Sequence, residues 1–204
     1  MNHAFKIEGV LLWAGITATL AYRGWPAWLV PLLPSLWINL PLISLLVRRE
    51  PLGDWGLAIP DLVSALRHVA AFALLLVPAS LVALRLIGAI DITWRAHPEA
   101  IAASLGRQLL WVALPEEIFF RGYLWRRMGA GAEAPTSRLR RIATNATFFT
   151  ATHYWIHPGM WALATWFPGL YFTWLRCRTQ SVVAPILCHA IANTMLFAAT
   201  GTVR

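Results

Sequence analysis

The chain has 204 residues, of which 58% are hydrophobic and 13% charged, with a mean hydropathy of +0.59. A water-soluble protein this apolar would lack the polar surface to stay in solution, so the composition points to a polytopic membrane protein and excludes a soluble core. The net charge of +8 is almost wholly arginine, Lys6 being the one lysine. The arginines fall mostly between apolar runs, as positive-inside topology requires, which argues against nucleic-acid binding.

Taken in order, the pattern predicts about seven apolar spans, at residues 7–23, 26–47, 67–90, 99–125, 142–156, 160–175 and 182–199. The first has no small-residue cleavage site and is expected to be a retained helix. The second should be kinked by Pro31, Pro34 and Pro41. Residues 52–66 mix Gly, Asp, Trp and Pro and are expected to lie at the interface. In the third span, Arg85 should snorkel or find a carboxylate. The fourth is long enough to be tilted, or broken near Pro115. Residues 129–137 should form a flexible loop framed by arginines, and Arg176 to Arg178 a second basic loop. The arginine bias places these loops on the cytoplasmic side, with the N-terminus inside and the C-terminus outside. Cys177 and Cys188 form neither a disulfide framework nor a metal-finger spacing and are expected reduced. The predicted fold is all-α, a polytopic transmembrane helix bundle, divided into variable N-terminal spans (1–98) and a helical core (99–204).

The chemistry concentrates inside the fourth span, at Leu114-Pro115-Glu116-Glu117-Ile118-Phe119-Phe120-Arg121. A charge near the bilayer centre costs at least about 2.5 kcal/mol, so such groups face a cavity or a partner. Glu117 and Arg121 are four apart on one helix face and can neutralise each other. Glu116 points about 100° away and needs a polar partner from another span. Two spans offer one: the fifth carries His153 after Phe149, and the seventh carries His189 and Asn193 on one face. At about 1.5 Å per residue, Glu116 lies about 15 Å from the Arg126 end of its span, His153 about 18 Å from Arg141, and His189 about 12–16 Å from the Arg176 to Arg178 loop. All converge near mid-membrane, so one polar cavity is the economical arrangement. Alone, each histidine or Asn193 would be a helix–helix hydrogen bond, and Phe149 would be packing.

Taken together, Glu116-Glu117-x-x-x-Arg121, Phe149-x-x-x-His153 and His189-x-x-x-Asn193 resemble the three signature motifs of the CPBP family, in order, spacing and separation over about residues 100–200. This family comprises the type II CAAX prenyl endopeptidases and the bacteriocin-processing or self-immunity membrane proteins, also called the ABI family. The resemblance implies intramembrane cleavage of a peptide bond. It implies that Glu116 and His153 activate water, that His189 and Asn193 stabilise the oxyanion, and that Glu117, Arg121 and Phe149 support them.

The substrate expected is a peptide or protein with a membrane-proximal or lipidated tail, met in the lipid bilayer, with no nucleic acid involved. No cofactor is favoured. Glu116, His153 and His189 would be the ligands if zinc were used, although the spacing is not the His-Glu-x-x-His of zinc proteases. The expected location is a bacterial inner membrane. Two other readings compete: a non-catalytic immunity or scaffold protein of the same fold, and a haem protein with His153 and His189 as axial ligands, which would leave Glu116, Glu117 and Asn193 without a role.

Overall fold

A computed structural model describes residues 3–57, 61–94, 96–129 and 135–201, with backbone only at 3–5 and 135. Among these residues every regular element is helical. We label the helices α1 (His3–Ala21), α2 (Val30–Arg48), α3 (Leu62–Leu86), α4 (98–127), α5 (Pro135–Ile156), α6 (Met160–Ala164), α7 (Trp166–Thr179) and α8 (Val183–Thr200). Three of them, α2, α3 and α8, are long and apolar enough by themselves to cross a bilayer. The chain is an integral membrane protein, with an outer surface studded by exposed Leu, Val, Ile and Trp side chains.

Prolines shape two of the helices. α2 opens as a 3₁₀ turn, Val30–Ser35, because Pro31 and Pro34 withhold their N–H groups, and becomes α-helical from Leu36. In α4 the expected break at Pro115 does not occur. Proline removes the bond to residue i−4 and crowds its carbonyl, here that of Trp111, and a wide π turn at Gln108–Ala113 makes room. A second π turn, Ile118–Leu124, follows, so Leu114–Glu117 is flanked by wide turns on both sides.

α4 runs through the middle of the bundle. On one side α1 and α2 pack over it, burying Ile16, Trp37, Phe119, Phe120 and Tyr123. On the other, α3 joins α7 and α8 around Phe72, Phe172, Leu175 and Cys188. α5 and α7 approach closely at Gly169, where an added Cβ would press on Ala146 and Phe149 at 3.3 Å.

Several boundaries differ from expectation. α3 begins five residues early, because Asp61 caps it by accepting from Val63 and Ser64 N–H. Arg85 meets the exposed Asp91 at 3.7 Å. α5 already begins at Pro135, within the expected flexible loop, of which 130–134 lie outside the described residues.

The segment expected at the interface is instead wedged into the bundle around Leu52–Trp55, with residues 58–60 outside the described residues. The Trp55 ring is fully buried against Tyr123, its Nε1–H donates to Glu50, and Gly56 O accepts from Val182 N–H. Gly56 adopts φ 73°, and a Cβ there would collide with the Arg176 guanidinium.

Arg176 itself is not in a loop. α7 extends to Thr179 and is closed by Gln180 at φ 53°. Arg127, Arg141 and Arg176, counted from the sequence as loop charges, are 0%, 9% and 4% exposed and pack inside the bundle.

Candidate active site

Glu117 is the hub of a buried polar cluster between α4, α5, α7 and α8. Its Oε1 accepts from Arg121 Nη1 and from His189 Nδ1, both at 2.8 Å. Arg121 is fully buried, so its charge needs more than one partner. It also donates from Nη2 to Gly169 O at 3.1 Å and from Nε to Thr173 Oγ1 at 3.3 Å. Its guanidinium lies 4.4 Å from the Phe149 ring centre. Thr173 Oγ1 donates in turn to Asn145 Oδ1, and Asn145 Nδ2 donates to Phe120 O, which ties α4, α5 and α7 together.

The two imidazoles are oriented by acceptors on their Nδ1 side. A carboxylate and a carbonyl oxygen can only accept, so each Nδ1 carries the hydrogen: His189 gives it to Glu117, and His153 gives it to Phe149 O at 3.0 Å, one turn back on α5. That leaves both Nε2 atoms free, and both face Glu116 Oε2 at 4.0 Å. Phe149 sits between the rings, 4.4 Å from His153 and 5.7 Å from His189, while Phe172 stacks on His189 at 5.4 Å. His189 is 3% exposed, whereas Glu116 and His153 keep 17% and 18% of their side-chain surface, so the cluster opens on their side.

Glu116 Oε2 is buried and accepts no hydrogen bond from a described residue. A separation of 4.0 Å is too long for a direct hydrogen bond but suits one water about 2.8 Å from each atom. Two imidazole nitrogens and a carboxylate are also a donor set that zinc accepts. Tetrahedral zinc with bonds of about 2.0–2.1 Å would need those atoms about 3.3–3.4 Å apart, closer than they stand. Among the described residues no group of three or more His, Cys, Asp or Glu side chains has metal-site geometry.

Asn193 lies one turn beyond His189 on α8 and donates from Nδ2 to Gln108 Oε1 at 3.0 Å. The structure thus gathers Glu116, Glu117, Arg121, Phe149, His153 and His189 directly, and links Asn193 to the same helix through Gln108.

Residues 98–195 match the family model described as type II CAAX prenyl endopeptidase Rce1-like. Over these residues the chain is similar to that family. The match begins at the first residue of α4 and ends in α8, so it takes in α4, α5 and α7 whole and the part of α8 that carries His189 and Asn193. No curated protein and no solved structure matches the chain.

Within the Rce1-like segment, sequence reasoning missed Gln108, Asn145 and Thr173. Asn145 was readable, since Asn145, Phe149 and His153 repeat every fourth residue on one face of α5. Thr173 and Gln108 carry no such signal.

Proposed function

We propose that the chain is an intramembrane endopeptidase of the metal-free, glutamate type. The observation that carries this reading is the meeting of two imidazole Nε2 atoms on an otherwise unpartnered buried carboxylate oxygen, each ring fixed through its other nitrogen. Glu116 accepts the proton of a water held between the three groups, the resulting nucleophile attacks the scissile carbonyl, and the C–N bond then breaks as Glu116 returns that proton to the leaving amine. His153, backed by a neutral carbonyl, serves as the second acceptor for that water. His189, fixed by the Glu117 carboxylate through Nδ1–H, presents Nε2 to the same space and, once it has taken up a proton there, donates it to the developing oxyanion. Asn193 supplies a further amide donor. Glu117 and Arg121 hold His189 and neutralise each other.

The substrate class that fits the family's description is a peptide carrying a prenylated, membrane-held C-terminal tail. The chain sits in a bacterial inner membrane with its N-terminus in the cytoplasm, and cysteine labelling checks this. Probes at Ser137 and Thr179 should report the cytoplasmic face and a probe at Gly159 the opposite face; Ser137 labelled from outside would reverse the orientation.

The deciding experiment is cleavage of a farnesylated fluorogenic peptide by protein in proteoliposomes. Glu116→Gln keeps the shape but loses the basic oxygen, so the rate should fall by about 10²–10⁴ with the protein still folded. Chelator treatment of the same preparation should leave the rate unchanged. Stoichiometric zinc whose removal abolishes activity would recast Glu116, His153 and His189 as ligands. Full activity in Glu116→Gln would leave the immunity or scaffold reading in front.

A further inference from the structure

We infer that Gln108 is a positioning residue that sets which end of the Asn193 amide faces the substrate; the inference rests on the proposed oxyanion role of Asn193. Gln108 is a polar side chain in an apolar run, 1% exposed, and its Oε1 accepts from Asn193 Nδ2 at 3.0 Å. In the orientation the structure shows, the Gln108 carbonyl oxygen faces Asn193 and can only accept, so it holds the NH₂ end of Asn193. Flipped, Asn193 would turn its acceptor oxygen toward a negative charge and oppose the reaction. With one Nδ2 hydrogen anchored, the amide plane is fixed and the other hydrogen remains to donate.

The backbone brings Gln108 to this place. Gln108 precedes Glu116 by eight residues, which in a regular α-helix puts them about 80° apart. Gln108 opens the π turn Gln108–Ala113, and such a turn takes up one extra residue. The eight-residue step then behaves like seven, about two full turns, so Gln108 lies under Glu116 on nearly the same face. α8 runs antiparallel to α4 here, and one turn beyond His189 it meets Gln108 with Asn193. The same wide turn that accommodates Pro115 thus aligns Gln108 with the cluster.

A purely structural Gln108 would be one more hydrogen bond between α4 and α8, so the test must separate positioning from glue. The farnesylated peptide in proteoliposomes is the probe, with melting temperature measured on the same samples. Gln108→Met, which keeps the packing volume, should lower kcat about tenfold, the scale of coupling within one hydrogen-bond network, with KM and melting temperature nearly unchanged. In an Asn193→Ala background the same change should cost nothing further, because the amide it positions is gone. Gln108→Glu, which keeps an acceptor oxygen within reach, should recover kcat to within about threefold of wild type.

Losses that multiply in the double variant would overturn the inference while leaving the protease reading intact, as would failure of both Gln108 variants to fold. A fully active Asn193→Ala beside an inactive Glu116→Gln would remove the oxyanion role of Asn193 and Gln108's role with it. A wild-type protein that cleaves no probe would remove the reaction itself.

Discussion

The bundle buries two clusters of charge, and they differ in how completely they are satisfied. In the first, between α1, α2 and the end of α4, Arg127 is fully buried and meets Glu50 at 2.7 Å and Glu8 at 3.4 Å. Glu8 also accepts from Ser44 at 2.7 Å, from Tyr123 at 3.0 Å and from Arg48. Trp55 and Arg127 both donate to Glu50 Oε2. Every carboxylate oxygen there has a partner. In the second cluster Glu117 and Arg121 are fully buried and paired through Glu117 Oε1, but Glu117 Oε2 accepts no hydrogen bond from a described residue, and Glu116 Oε2 is left facing two nitrogens 4.0 Å away. Burial of charge alone does not mark a reactive centre, since a buried ion pair can simply be structural. What separates the clusters is one carboxylate oxygen and two oriented ring nitrogens converging at distances too long for direct hydrogen bonds.

Substitutions can break that contrast, and the largest expected effect is on rate. Glu116→Gln should stop cleavage without unfolding the protein, because no hydrogen bond from a described residue depends on Glu116 Oε2 and its two imidazole contacts stand at 4.0 Å. Glu117→Gln and Glu50→Gln should behave differently, since each removes the carboxylate nearest a buried arginine. Each should cost about 3–5 kcal/mol of stability, read as a lower denaturation midpoint in detergent. They then part company: Glu117→Gln also frees His189 and should lose most activity per folded molecule, whereas folded Glu50→Gln should turn over normally. Loss of turnover in folded Glu50→Gln would erase the distinction between the clusters.

The helical class, the pairing of Glu117 with Arg121 and the need of Glu116 for partners outside its own helix were legible because they follow from the 3.6-residue period and the cost of membrane-buried charge. The boundaries were less so. A π turn inserts a residue into the period without changing composition, so Gln108 could not be placed on the face of Glu116 from spacing alone. The segment at Leu52–Trp55 looks interfacial in composition, and only its contacts with Tyr123 and Glu50 show why it is drawn inside. The arginines misled in a similar way. Arg127 and Arg176 read as loop charges, but Arg127 has carboxylate partners far away in sequence, and Arg141 lies over the Trp125 ring at 3.9 Å.

The smallest effect tests how redundant the first cluster is. Tyr123→Phe deletes the hydroxyl that donates to Glu8 and keeps the ring between Trp55 and Phe119. Glu8 Oε1 would still accept from Ser44 and lie near Arg127, so no charge is stranded. The loss should be that of one hydrogen bond to a charged group, at most about 1.5–3 kcal/mol, and smaller here because the other partners remain. Turnover should not change. A loss as large as that of Glu50→Gln would mean that the hydroxyl, and not the arginines, holds Glu8 in place. The cluster would then be a hydrogen-bond network whose members cannot be removed singly, and its contrast with the Glu116 centre would rest on charge rather than on satisfied bonds.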